Sequence, residues 1–209
     1  MVRESTPIVF EEPGPTRRFV VIGSRAKSSA AFKLHALWDS GGRMDILVRC
    51  IRAALLVSGG VRRNTLLDLL LLGPGEAPLA LRLDGRSIRG LRPDEYRNAR
   101  LLQHALGARH PGAGPEMVAA GIQAAPMDLE ALAREPRGTL FVLGREGIDM
   151  RSVCWQGDAT FVLGDDRGID PDHAKVLERC GAVTVSLGPV DLHTEDAITI
   201  VHNELDRTS

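Results

Sequence analysis

Three apolar runs in the second half of the chain end in glycine-containing loops: Leu143-Gly144, Leu163 to Gly168, and Leu187 to Leu192. Glycine lets bare backbone amides and carbonyls come close to a small ligand, because no side chain holds it off. Leucines followed by glycines also supply an apolar slot with a few directed hydrogen bonds, which is what an adenine ring needs. Any one of these loops fits an ordinary strand-to-helix turn; three in order at strand ends point to a site beyond the carboxyl edge of a sheet. Upstream, Asp45, Arg49 and Arg52 stand at i, i+4 and i+7 and share one helix face. A carboxylate flanked by guanidiniums fits a nucleotide, with the arginines on phosphates and the acid on a base N–H. The same spacing fits a surface salt bridge worth roughly a few tenths of a kcal/mol.

The elements that must position these residues follow from periodicity. Arg17 to Gly23 reads as a short buried strand, and Met44 to Ser58 as a helix with Leu47, Ile51, Ala54 and Leu55 inward and Gly59-Gly60 as its stop. Thr65 to Leu72 and Leu79 to Leu83 are expected strands, and Pro93 opens a helix to about Leu106. Gly107 to Pro115 is the one candidate seam. Beyond it the pattern predicts a helix near Asp128 to Arg134, strands over Thr139 to Leu143 and Ala159 to Leu163, a helix from Pro171 to Cys180, a strand from Ala182 to Leu187, and a last helix from about Glu195 to Asp206. Alternating strands and helices predict an α/β fold with a mostly parallel sheet covered on both faces. Residues 1 to 16, rich in proline among acids, read as a flexible N-terminal extension, and residues 17 to 209 as a single domain.

Composition sets limits. No signal-like leader opens the chain, and Leu66 to Leu72 is too short an apolar run to span a bilayer, so no membrane role and a cytoplasmic location are expected. Cys50, Cys154 and Cys180 show no metal-ligand spacing, which argues for neither disulfide nor zinc. Asp165 and Asp166 read as solvated loop carboxylates, since nothing completes an oxygen cage for a metal. Charge is segregated: residues 1–110 carry about eight more basic than acidic side chains, and the remainder about nine more acidic than basic. The basic half is almost all arginine, which suits a polyanion, although the halves could also attract one another. Arg49 and Arg52, and further along Arg82, Arg86, Arg89, Arg92, Arg97 and Arg100, are the expected RNA-binding surface. Few aromatics are available for stacking, so phosphate and loop shape are expected to dominate recognition.

The segments Ser40-Gly-Gly-Arg-Met-Asp45, Phe161-Val-Leu-Gly-Asp-Asp-Arg-Gly168 and Leu187 to Asp206 resemble the archaeal tRNA pseudouridine N1-methyltransferases of the SPOUT superfamily, over about Arg17 to Arg207. The resemblance implies a SPOUT-type sheet with a C-terminal trefoil knot, a homodimer, and S-adenosylmethionine as cofactor. It assigns the cofactor to Leu143, Gly164, Leu187, Gly188, Pro189, Val190, Asp191, Leu192 and Ala197. It also implies tRNA as partner, with methylation of pseudouridine N1 at position 54 of the T-loop. An ordinary carboxylate, with a pKa of about 3.9, is a poor base for so weak an acid. Asp45 is therefore cast as the group that orients N1–H and takes its proton during transfer, and Arg43 as the group that holds the base or its phosphate. Many members carry Ser-His-Cys where this chain has Glu195-Asp196-Ala197, so a cysteine contact to the cofactor is missing. Thr194 with those acids reads as a helix start, the hydroxyl capping amides. The alternatives are a ribosomal-RNA pseudouridine methyltransferase of the same superfamily and a non-catalytic RNA-binding homologue.

Overall fold

The computed structural model describes residues 16–75, 77–110, 112–135 and 138–208; the expected N-terminal extension, apart from Thr16, lies outside them. In chain order the elements are β1 (Arg17–Gly23), α1 (Leu37–Ser40), α2 (Met44–Leu55), β2 (Leu56–Val57), β3 (Gly60–Val61), β4 (Thr65–Leu71), β5 (Leu79–Asp84) and α3 (Glu95–Gly107). There follow β6 (Glu116–Ala119), β7 (Ile122–Ala125), α4 (Leu129–Arg134), β8 (Thr139–Asp149), β9 (Ala159–Gly164), α5 (Pro171–Arg179), β10 (Val183–Ser186) and α6 (Thr194–Thr208).

One eight-stranded sheet runs β10-β8-β9-β1-β4-β5-β7-β6. The five strands from β10 to β4 are parallel neighbours, and the pairs from β4 onward are antiparallel. β1 shows why helices cover both faces. Its alternate residues Phe19 and Val21 join the core beneath α2, α3 and α6, whereas Val20 and Ile22 join a second core with Leu132 and Leu177 of α4 and α5. Phe141, Phe161 and Phe19 stand in register across β8, β9 and β1, with ring centroids 5.4 and 5.6 Å apart.

The parallel strands end on one edge, and there the chemistry collects. β8 departs from a plain strand at that edge: its pairing with β10 jumps from Val142 opposite Thr184 to Ile148 opposite Val185. Leu143 to Gly147 therefore loop out of the ladder, and a Cβ at Gly147 would lie 2.6 Å from the Val185 backbone.

Several expectations are corrected. The first long helix stops at Leu55, not Ser58, because Leu56 turns extended and Ser58-Gly59 form the two-residue turn of the β2–β3 hairpin, with Gly59 at φ 81°. The stretch after Pro115 holds the hairpin β6–β7, which the periodicity did not predict. Arg82 is not on a basic surface. It is mostly buried, bonding Asp68 at 2.7 and 2.9 Å and Glu135 at 2.5 and 3.3 Å beside fully buried Arg18, which also holds Asp68 at 2.5 Å.

Candidate functional site

A cavity of ≈800 Å³ opens at the carboxyl edge of the parallel strands, between the looped-out segment of β8, the end of β9, the β10–α6 loop and the first turns of α2 and α6. Leu143, Gly164, Leu187, Gly188, Val190, Asp191, Leu192 and Ala197 line it, together with Arg43, Ile46 and Arg49; Pro189 is not among the lining residues. The glycines act for two different reasons. Gly188 sits at φ 121°, a conformation side chains rarely adopt, and a Cβ there would meet nothing within 4 Å. Gly164 packs on the chain itself, since a Cβ there would lie 2.0 Å from the Gly168 carbonyl oxygen. The Ser186 hydroxyl accepts from Gly188 N at 3.2 Å and pins that loop.

A chain of alternating charges crosses the cavity wall. Arg25 donates to both oxygens of Asp166 at 2.7 Å, and Arg43 Nη1 donates to Asp166 Oδ2 at 2.7 Å. Arg43 also holds Asp45 through Nε and Nη2 at 3.1 and 3.2 Å. Arg49 Nη2 reaches Asp45 Oδ2 at 3.2 Å while its Nε donates to Glu195 Oε1 at 2.6 Å. Asp45 is thus clasped by two guanidiniums, is 16 % exposed, and lies behind the wall that they form. Burial works to raise the Asp166 carboxyl, but the bonds from Arg25 and the charge of Arg43 outweigh it and hold the pKa below the usual carboxylate range. Burial works to lower the Arg49 pKa, and the bond to Glu195 together with the charges of Glu195 and Asp45 raises it above the ordinary value.

Backbone geometry explains why the Ser40 to Asp45 motif has this composition. Gly42 has φ 66°, and a Cβ there would lie 1.8 Å from the Arg25 carbonyl oxygen. Arg43 is the one non-glycine residue of positive φ among the described residues, at 69°, and it occupies the position before α2. An arginine held left-handed at a cavity wall is strain of the kind that collects at functional sites.

Arg49 and Arg52 lie on one face of α2 as expected; Arg49 lines the cavity, and Arg52 a neighbouring groove between α2 and α6. Arg86 and Arg89 are exposed but remote. β5 runs antiparallel to β4, with Asp84 beside Leu66, so the loop after β5 lies at the opposite edge of the sheet, roughly 20 Å away across a seven-residue strand. Asp165 is not a solvated carboxylate: it is buried and accepts from Ser24 N and the Ser24 hydroxyl at 2.7 Å, clipping the ends of β1 and β9 together. Thr194 does not cap amides either. Its hydroxyl donates to the Gly164 carbonyl at 2.8 Å and ties α6 to β9. Sequence reasoning missed Arg25 and Ser24 as partners of the acidic pair, although their place just past the Gly23 strand end was a usable signal.

A sequence model for SAM-dependent RNA methyltransferases matches residues 16–209. A Methanosarcina mazei protein named tRNA (pseudouridine(54)-N(1))-methyltransferase is 40% identical over 194 residues, 91% of each chain. A Methanopyrus kandleri protein of the same name is 38% identical over 192 residues, covering 91% of this chain and 92% of its own. Among solved structures, Archaeoglobus fulgidus Nep1 bound to S-adenosylhomocysteine superposes with a TM-score of 0.62 at 15% identity, over 93% of this chain and 98% of that one. The last likeness concerns the fold, which is the SPOUT-type α/β arrangement.

Proposed function

The chain belongs to the family of SAM-dependent RNA methyltransferases, and from that premise we propose that it methylates N1 of pseudouridine at position 54 of tRNA. One observation carries the reading: the glycine-loop cavity and the Arg43–Asp45–Arg49 cluster share a wall, so cofactor slot and acceptor side adjoin. The residues present fit S-adenosylmethionine. Leu143, Leu187 and Leu192 provide an apolar slot for adenine, and Gly188 presents bare backbone to it. Asp191 and Glu195 line the same cavity, paired with Arg145 and Arg49, and could exchange those partners for the cofactor's cationic groups.

When bound, the cofactor supplies a methyl group made electrophilic by sulfonium charge. Pseudouridine, unlike uridine, offers a free N1–H, and its nitrogen gains a methyl as the carbon–sulfur bond breaks and the N1 proton leaves. The chain's part is alignment, an effect that reaches roughly 7–11 kcal/mol. Arg43 holds the base or its phosphate, exchanging part of its hold on Asp166 for the RNA. Asp45 orients N1–H and accepts the proton, a contribution of about 10²–10⁴-fold. Because it lies behind Arg43 and Arg49, those side chains must re-pair to uncover it.

The homodimer that the resemblance implies and the cytoplasmic location expected from the composition belong to the same proposal, as does the C-terminal knot. Among the described residues no helix is long and apolar enough to cross a membrane. The knot rests on the resemblance; in the structure α6 follows edge strand β10 and packs on α2. Nucleoside mass spectrometry of tRNA incubated with the protein and S-adenosylmethionine tests the activity: N1-methylpseudouridine is expected, and bound cofactor without methylated product would leave a non-catalytic RNA-binding homologue.

A further inference from the structure

Trp38 stands in the surface beside the reaction site. It belongs to α1, a single turn anchored by buried Leu37, yet is itself 66 % exposed. An aromatic of this size ordinarily dominates a core or an interface. Trp155, the other tryptophan of the chain, does so by packing on Phe141 and Phe161. Trp38 is not held loosely. Its carbonyl accepts from Arg43 N at 3.2 Å, Asp39 O accepts from Gly42 N at 3.2 Å, and the Ser40 hydroxyl accepts from Lys33 N at 2.8 Å and donates to Ala36 O at 2.7 Å. The backbone that fixes Arg43 on the cavity wall therefore also fixes Trp38.

The connector from β1 to α2 is basic as well, with Arg25, Lys27, Lys33 and Arg43 against Asp39; Asp166 pairs Arg25 and Arg43, which leaves Lys27 and Lys33 as the lysine charges of this stretch. A protein partner would be expected to seat an anchor tryptophan among apolar neighbours. Here the exposed neighbours along the chain are Ala31, Lys33, His35 and Asp39, and the larger apolar side chains among them, Phe32 and Leu37, are buried. An exposed ring on a connector that carries Lys27 and Lys33 suits a single-stranded nucleic acid, with a base on the ring and phosphates on the lysines.

Resting on the reading of the site as a tRNA methyltransferase centre, we propose that Trp38 is a stacking platform for an unpaired base of the RNA loop that carries the target nucleotide. One base stacked on an aromatic side chain corresponds to about a 5- to 150-fold change in affinity, and any base is accepted because each has a π face.

The test compares Trp38→Ala and Trp38→Phe with the unaltered full-length protein. Trp38→Ala should raise KM for tRNA about tenfold or more, with the loss falling on KM and not on kcat, while Trp38→Phe recovers most of it. Added tRNA should quench the tryptophan emission of the unaltered protein, and that quench should vanish in Trp38→Phe, where Trp155 remains as a silent control. An unchanged KM in a folded Trp38→Ala protein that still methylates tRNA overturns the platform while leaving the methyltransferase reading intact. A quench that persists in Trp38→Phe overturns it too. Dissociation of a dimer by Trp38→Ala, with emission indifferent to RNA, would assign the surface to a second copy of the chain. If the unaltered protein neither binds nor methylates tRNA, platform and methyltransferase reading fall together.

Discussion

Asp45 is separated from the cavity by the two arginines that it binds, so its contribution is measurable apart from cofactor binding. If it orients and deprotonates N1, Asp45→Asn should lower the single-turnover methylation rate by about 10²-fold or more, with S-adenosylmethionine affinity within a few fold. Near-normal turnover would make Asp45 only the ion-pair partner of Arg43 and Arg49. His202 contributes differently. It is buried between Arg17, whose Nη1 lies 3.2 Å from Nδ1, and the Ala54 carbonyl, 3.0 Å from Nε2. Burial first, then the charges of Arg62 and Arg17, push its pKa down to about 3 against an ordinary 6.5. The unfolded chain therefore takes up a proton below pH ~6.5 that the folded chain refuses, so stability is full above that pH and declines as pH falls toward 3. Asp206, which bonds both Arg17 and Arg62, has a lowered pKa and adds a further loss below roughly pH 4. Urea unfolding of His202→Gln between pH 6.5 and 4.5 should show a flatter pH dependence than the unaltered protein; an equal slope would contradict the neutral buried imidazole.

At the scale of elements, the β10–α6 loop should tolerate little at Gly188. A Gly188→Val protein must distort the backbone from φ 121°, and cofactor binding by calorimetry should fall to background. An unchanged dissociation constant in the folded variant would remove the loop from the site. The reason differs from the sequence-based one: strain at a positive φ decides, because the position itself is open. This loop was legible because an apolar run meeting glycine has few other uses, and β1, β4 and β9 were legible because their buried runs are bounded by turn residues. What stayed hidden was set by distant partners. Leu56 leaves the helix to pair with Val61, Arg82 is drawn inward by Asp68 and Glu135, and the Thr194 hydroxyl goes to Gly164 instead of its own helix amides. The looping-out of Leu143 to Gly147 depends on the register of β10, some forty residues later, and no local pattern marks it.

Over the whole molecule, the charge asymmetry divides into two uses. Arg17 and Arg62 pair with Asp206, Arg25 and Arg43 with Asp166, Arg49 with Glu195, and Arg18 and Arg82 with Glu135, so much of the basic half is neutralised by the acidic half across the fold. Arg52 is exposed beside the site, and it is the better candidate for a phosphate contact than Arg49, which Asp45 and Glu195 hold. Arg52→Gln should weaken tRNA binding and reduce the slope of log affinity against log salt by roughly 0.7 to 0.9, as expected for one lost phosphate contact. An unaltered slope would move the RNA elsewhere. The central claim, that this site methylates N1 of pseudouridine 54, is tested most directly by single-turnover transfer of labelled methyl from S-adenosylmethionine to two tRNAs that differ only in having pseudouridine or uridine at position 54. The account predicts one methyl on the pseudouridine tRNA, recovered as N1-methylpseudouridine, and none on the uridine tRNA, whose N1 is bonded to ribose. Equal labelling of both, or labelling of neither by protein that binds the cofactor, would contradict it.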